Sequence, residues 1–119
     1  MIGDNVFKKC TTLESITIPN SVISIGNNAF EGCTGLTSVT IGNSVTSIGY
    51  SAISGCIELK TVFNFSNLTL TKGLHEYGFV AYYADNVYNA PNGSIEGDFI
   101  FGKQKGVNTL LYYLGNDTH

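Results

Sequence analysis

Apolar positions in this chain recur at long range, Ile2 again as Ile25 and Ile25 again as Ile48, a period far beyond that of a strand or a helix. Ile25 to Ser47, IGNNAFEGCTGLTSVTIGNSVTS, restates Ile2 to Ser24 at 14 of 23 positions, too many for chance, and Ile48 to Leu70 follows in the same register. Ile2/Ile25/Ile48, Gly3/Gly26/Gly49, Cys10/Cys33/Cys56 and Leu13/Leu36/Leu59 hold the same four places. Inside a unit, Leu36, Val39 and Ile41 form an L-x-x-V-x-I segment whose end alternates as a strand with one buried face. Ile18-Pro19-Asn20 and Ile41-Gly42-Asn43 supply turn residues, with Asn read as making a local side-chain bond. Val45 and Ile48, like Val22 and Ile25, give a second short extended piece. Gly26 to Cys33 reads as a tight helical or 3₁₀ turn that returns the chain.

Each unit therefore owns one inward row of Ile, Phe, Cys, Leu, Val, Ile and Val, and a Ser/Thr/Asn exterior. One coil cannot bury that row. Stacked coils, about 4.8 Å apart as paired strands are, place identical residues in ladders through a shared core. The fold class expected is a mainly β repeat solenoid, a right-handed leucine-rich-repeat-like β-solenoid with short helical or 3₁₀ turns and a C-terminal β-hairpin segment. The pattern Ile-Gly-x-x-Ala-Phe-x-Gly-Cys-x-x-Leu-x-Ser-Val-x-Ile-x-x-Ser-Val resembles the BspA-like leucine-rich repeats of bacterial and protist surface proteins. The third unit departs from it, with Ile53 for Phe and Asn64 for the inward Ile, as at the end of a regular run.

After Thr71 the character changes. Nine of the fourteen aromatic residues lie between Tyr77 and Tyr113, so the repeat gives way to another kind of packing. The division expected is three 23-residue repeats over residues 1–71, then over 72–119 a degenerate repeat and an aromatic-rich hairpin that continue the same domain. Gly78-Phe79-Val80-Ala81-Tyr82 repeats the Gly-x-x-Ala-aromatic core that starts at Gly49, but the regular period would carry Gly49 only to Lys72. The difference implies a six-residue insertion within Thr71–Tyr77. Ala90-Pro91-Asn92-Gly93-Ser94-Ile95 echoes Ile18-Pro19-Asn20-Ser21-Val22 with one extra residue. Asp98–Phe101 and Val107–Leu114 read as hairpin strands around Gly102-Lys103-Gln104-Lys105-Gly106. The phrase Tyr-Gly-Phe-Val-Ala-Tyr-Tyr-Ala-Asp-Asn-Val-Tyr also resembles non-repeat segments that interrupt BspA-like arrays.

Composition narrows the function classes. A chain of 119 residues with 43% hydrophobic and 13% charged residues suits one packed domain or a piece of one. The net charge is −3, arginine is absent and the six lysines are scattered, so no cationic face for nucleic-acid phosphates is expected. No apolar run reaches the roughly 20 residues of a membrane span, and no signal peptide is seen. Met1 precedes a unit without its preceding strand, which suggests a piece of a longer secreted protein, the alternative being an authentic N-terminus.

The three cysteines admit three readings. Their spacing does not suit zinc, and an odd number does not suit a disulfide framework. The register favours the third: Cys10, Cys33 and Cys56 as a ladder of free, buried thiols whose parallel Cβ directions oppose bonding. On that reading Cys33→Ser costs roughly a few kcal/mol, because the hydroxyl is stranded among ladder carbons.

No catalytic constellation emerges. His75 and His119 stand apart from any Ser or Cys motif. Asp85, Glu96 and Asp98 form the one acidic cluster. They are read as a solvated loop and strand edge, and the alternatives are acid–base work or calcium binding. No catalytic residue, metal ligand or cofactor is assigned, and the chain is read as not an enzyme. A glycan-processing site would need two of those carboxylates within about 5–10 Å in an open cleft. Asn-x-Ser/Thr sequons stand at Asn64, Asn67, Asn92 and Asn116, where composition alone would produce about two.

The outward strand positions are the candidate binding residues: Ser15, Thr17, Ser38, Thr40, Thr61 and Phe63, flanked by Glu14, Thr37 and Lys60. They form the ladders Ser15/Ser38/Thr61, Thr17/Thr40/Phe63 and Glu14/Thr37/Lys60. Phe63 and Lys60 break the regular lattice that ice binding would require. Ordinary β-favouring surface is the alternative meaning of any one Thr. The resemblance implies an extracellular, adhesin-like binding module that contacts host or neighbour-cell proteins or glycans. The alternative is a purely structural spacer repeat of a larger surface protein. Open coil ends also suggest end-to-end self-association through unpaired edge strands.

Overall fold

The computed structural model describes residues 1–91, 93, 99–104 and 110–114. The repeat register is the sheet register. Strand β1 (Leu13–Ile18) pairs in parallel with β3 (Ser38–Ile41), which pairs in parallel with β5 (Thr61–Asn64). Ser15 faces Ser38 and Ser38 faces Thr61, the same step that separates the sequence repeats. The short β2 (Ser24–Ile25) and β4 (Ser47–Ile48) pair on a second line, continued by an Ile2–Ile25 bridge. Three coils of a β-solenoid result.

The inward row behaves as the apolar spacing requires. Leu13, Leu36 and Leu59, then Ile16, Val39 and Val62, are buried in successive coils. Phe7 stacks on Phe30 with ring centroids 5.0 Å apart, and Ile53 follows beneath. Burial of each such side chain stabilises the fold by about 1.5–3 kcal/mol, and only neighbouring coils exclude the water.

The return segment is a run of tight turns in which alternate amides bond the carbonyl three places back, as in Lys8 to Asn5, Cys10 to Phe7, Cys33 to Phe30 and Cys56 to Ile53. Left-handed residues interrupt the run at two ladder positions, Asn5/Asn28/Ser51 and Lys9/Gly32/Gly55. Between them amides reach the next coil: Phe7 N–H donates to Ala29 O and Phe30 N–H to Ala52 O, both at 2.7 Å. The turn asparagines also reach across coils. Asn43 N–H donates to Asn20 Oδ1 and Tyr50 N–H to Asn27 Oδ1, each one full repeat on, beside the local bond expected, which Ser44 Oγ makes to Asn43 Oδ1.

A fourth coil follows, in a register different from the one expected. Strand β6 (Asn86–Asn89) pairs in parallel with β5 and sets Val87 opposite Val62, a step longer by two than that from Val39 to Val62. Ile53 N–H donates to Gly78 O, the place Ala52 O holds in the coil before. Gly78 thus lies over Ala52 and not Gly49. A Cβ there would sit 2.8 Å from Ala52 Cβ, so only glycine allows that approach. The insertion is correspondingly shorter than expected. Ala90 N–H bonds Asn64 O, so Ala90 takes the level of Pro19 and the Ala-Pro echo is out by one.

The C-terminal hairpin is present, displaced along the chain. Strand β7 (Phe99–Gln104) pairs antiparallel with β8 (Leu110–Leu114), and Gly102 lies within β7 instead of in the turn. A Cβ on Gly102 would meet Leu13 Cδ1 at 2.8 Å, so the glycine serves close packing. The hairpin docks at the opposite end of the sheet from β6: β7 pairs antiparallel with β1, Thr17 facing Phe101. Ile100 enters the core and Lys103 Nζ lies 3.9 Å from Glu14 Oε1. The strand order is β6-β5-β3-β1-β7-β8, so β7 occupies the edge of β1 that was expected to be open.

Candidate functional site

Strand pleating sends Ile16, Ile18, Val39, Ile41 and Val62 inward and leaves the alternate residues on the outer face. The six sequence-derived candidates fall together there, in two rows perpendicular to the strands. Ser15, Ser38 and Thr61 form one row, and Thr17, Thr40 and Phe63 the other. The Ser and Thr members are half-buried between neighbouring coils, while Phe63 is exposed.

The fourth coil lengthens both rows with residues the sequence reading missed. Asn86 follows Thr61, and Tyr88 follows Phe63. The Tyr88 and Phe63 rings stack with centroids 5.3 Å apart and planes 16° from parallel, and Tyr88 keeps half of its surface open. The signal for Tyr88 was the alternation in Asn86-Val87-Tyr88. It was masked because the step into this coil is longer than the repeat.

The third row serves the scaffold. Thr37 Oγ1 donates to Glu14 O at 3.1 Å, and Lys60 N–H donates to Thr37 O. Charge on this face is sparse, since Glu14 is engaged by Lys103 and Lys60 stands exposed at the far side.

Among the described residues the other candidates do not assemble into a site. Asp85 is exposed, with its backbone N–H donating to Lys60 O, while Glu96 and Asp98 lie outside the described residues. Among the described residues no group of His, Cys, Asp and Glu could hold a metal ion, and no cavity opens. No helix of the described residues is long and apolar enough to cross a membrane. His75 lies 6.0 Å from the Phe79 ring on an exposed loop, and His119 lies outside the described residues. Of the sequons, Asn64 is sealed in the core and Asn67 is exposed, while Asn92 and Asn116 lie outside the described residues.

The cysteines are free and stacked, with Cys33 and Cys56 buried and Cys10 half-buried. Each buried thiol donates to the preceding coil: Cys33 Sγ to Phe7 O at 3.1 Å and Cys56 Sγ to Phe30 O at 3.2 Å. The hydrogen-bonded Cys33 sulfur, and then burial, push the Cys56 thiol well above its ordinary range. Burial, reinforced by Cys33, raises Cys10. The hydrogen bond with Cys56 lowers Cys33 in turn, while the two raised, protonated thiols are poor nucleophiles and poor metal ligands.

Among the described residues the arrangement offers an outward strand face with an aromatic end. The family profile described as BspA type leucine rich repeat region (6 copies) matches residues 1–94, which take in the four coils. No curated protein and no solved structure matches the chain. With the profile extending over most of the chain, and the sequence period realised as stacked parallel strands, this protein belongs to the BspA-type leucine-rich-repeat family.

Proposed function

We propose that the chain is a non-catalytic binding module of a cell-surface protein, contacting host or neighbour-cell proteins or glycans through its outward sheet face. The family supports a repeat protein of a kind often surface-associated and generally without catalysis. The observation that carries the binding reading is the Phe63–Tyr88 stack at the open end of the Thr17/Thr40 row. An exposed aromatic pair on rigid strands offers apolar area, and the Tyr88 hydroxyl gives a polar handle, at little cost in side-chain entropy. Ser15, Ser38 and Thr61 would supply hydroxyls beside it.

The test is binding of the whole chain to immobilised matrix proteins and to a glycan array, repeated with Phe63→Ser and Tyr88→Ser. Saturable binding that falls at least tenfold in either variant supports the reading. A chain cut after Thr71 is unsuitable, since it would lose the strands that flank β5 and β1. A second reading, the spacer, is favoured by Thr37, whose hydroxyl is spent on holding adjacent coils. Silence of the folded chain on every surface would select it.

A further inference from the structure

The two outermost strands of the six-stranded sheet are β6 and β8, and among the described residues each has one hydrogen-bonded neighbour. Each therefore presents a row of backbone groups to its open side. Asn86-Val87-Tyr88-Asn89 and Leu110-Leu111-Tyr112-Tyr113-Leu114 contain no charged residue and no proline.

Strand direction makes these edges compatible. Strands β1, β3, β5 and β6 run the same way. β7 reverses that direction against β1, and β8 reverses it again, so β8 runs parallel to β6 from the other end of the sheet. A second copy shifted along the sheet axis thus brings its β8 beside β6 in the same parallel sense that joins the coils.

The register agrees as well. One row crosses the whole sheet as Tyr88, Phe63, Thr40, Thr17, Phe101 and Tyr112, and so begins and ends on tyrosine. The adjacent row begins at Val87 and ends at Leu111. Continued into a second copy, the rows join tyrosine to tyrosine and Val87 to leucine. The exposed Tyr88 ring already stacks on Phe63 on one side.

We infer that copies of this chain associate head to tail, β6 of one pairing in parallel with β8 of the next to extend one continuous sheet. Such a contact is heterologous, so it propagates and does not close at two. It is independent of the binding reading above, because it needs no ligand.

The experiment is sedimentation velocity of the full chain across a wide concentration range, with Tyr88→Lys blocking one edge and Tyr112→Lys the other. The parent should form species beyond the dimer as concentration rises. Each variant alone should stay monomeric, its association weakened by about tenfold or more by a lysine on the edge. An equimolar mixture of the two variants should form a dimer, because each keeps the edge the other has lost. Asn86→Lys should act as Tyr88→Lys does, and retained circular dichroism shows that the variants fold. A parent that stays monomeric overturns the inference. So does a Tyr112→Lys chain that dimerises alone, the mark of a symmetric β6–β6 contact. A mixture that fails to associate overturns it too.

Discussion

Asn64 Nδ2 donates to Asn89 Oδ1 at 2.7 Å, across the ladder step where the inner coils place Ile18 and Ile41. The same amide group donates to Leu68 O, Asn64 Oδ1 accepts from Ser66 N–H, and Asn89 Nδ2 donates to Leu70 O. The departure at Asn64 therefore ties the loop after β5 to the fourth coil. Asn64→Ala should destabilise the fold by about 2–4 kcal/mol, adding a cavity to unpaired backbone groups. Asn64→Ile, which restores the repeat residue, should still cost about 1–3 kcal/mol because Ser66 N–H and Leu68 O lose their partner. Chemical denaturation measures both, and an Ile variant as stable as the parent would dismiss the polar tie.

Cys33→Ser should be milder than a stranded hydroxyl implies. The thiol already donates to Phe7 O, and a serine hydroxyl inherits that acceptor. A loss of about 1–2 kcal/mol is expected, with Cys33→Ala losing as much or more through its cavity. A serine variant that melts far below the alanine variant would show that the bond is not kept.

The thiol ladder makes the fold sensitive to alkali. Cys56 and Cys10 bind their protons more tightly folded than unfolded, while the hydrogen bond with Cys56 shifts Cys33 the other way and offsets part of the effect, so the contribution of the two raised thiols is complete below the ordinary thiol range. It is lost as pH rises above about 8.5 toward the folded values, because the unfolded chain then releases protons that the folded chain retains. The melting temperature should be level up to about pH 8 and fall above it, and Cys56→Ala should flatten the fall. An identical alkaline limb in that variant would assign the effect elsewhere.

Lys9 has φ of 61° at the ladder position where later coils use Gly32 and Gly55. Lys9→Gly should therefore stabilise by about 0.5–1 kcal/mol, the relief of a left-handed Cβ exceeding the added chain entropy. Gly49→Ala should do the opposite. Its Cβ would lie 2.6 Å from Asn27 N and 2.7 Å from Gly26 C, forcing two coils apart at a cost of about 3 kcal/mol. Melting curves of the two variants should move in opposite directions.

The three coils were legible because identity repeats. Once Leu13, Leu36 and Leu59 were aligned, strand pairing and the inward row followed from the period. The outward candidates followed too, since a strand that buries Val39 and Ile41 must expose Ser38 and Thr40. The fourth coil was harder to read, because alanine at Ala84 ends the Leu13/Leu36/Leu59 ladder and the step lengthens. Matching Gly78 with Gly49 followed residue type, whereas the backbone placed Gly78 where close approach to Ala52 required it. The reach of asparagine side chains between coils was hidden because a single unit permits a local bond equally well. Docking of β7 on β1 left no periodic trace, since nothing repeated links Thr17 to Phe101.

That last pairing alters how the molecule must fold. A stack of repeats joined only by nearest neighbours can nucleate at any coil and propagate, with most contacts local in sequence. Here the first strand gains its outer neighbour from almost the far end of the chain, Leu13 opposite Gln104. Closure carries the entropy of a long loop and comes late, so folding should be slower and more cooperative than four coils alone would suggest. During synthesis the β1 edge emerges long before the strand that covers it, and for that interval it stands as an open template for any extended chain nearby.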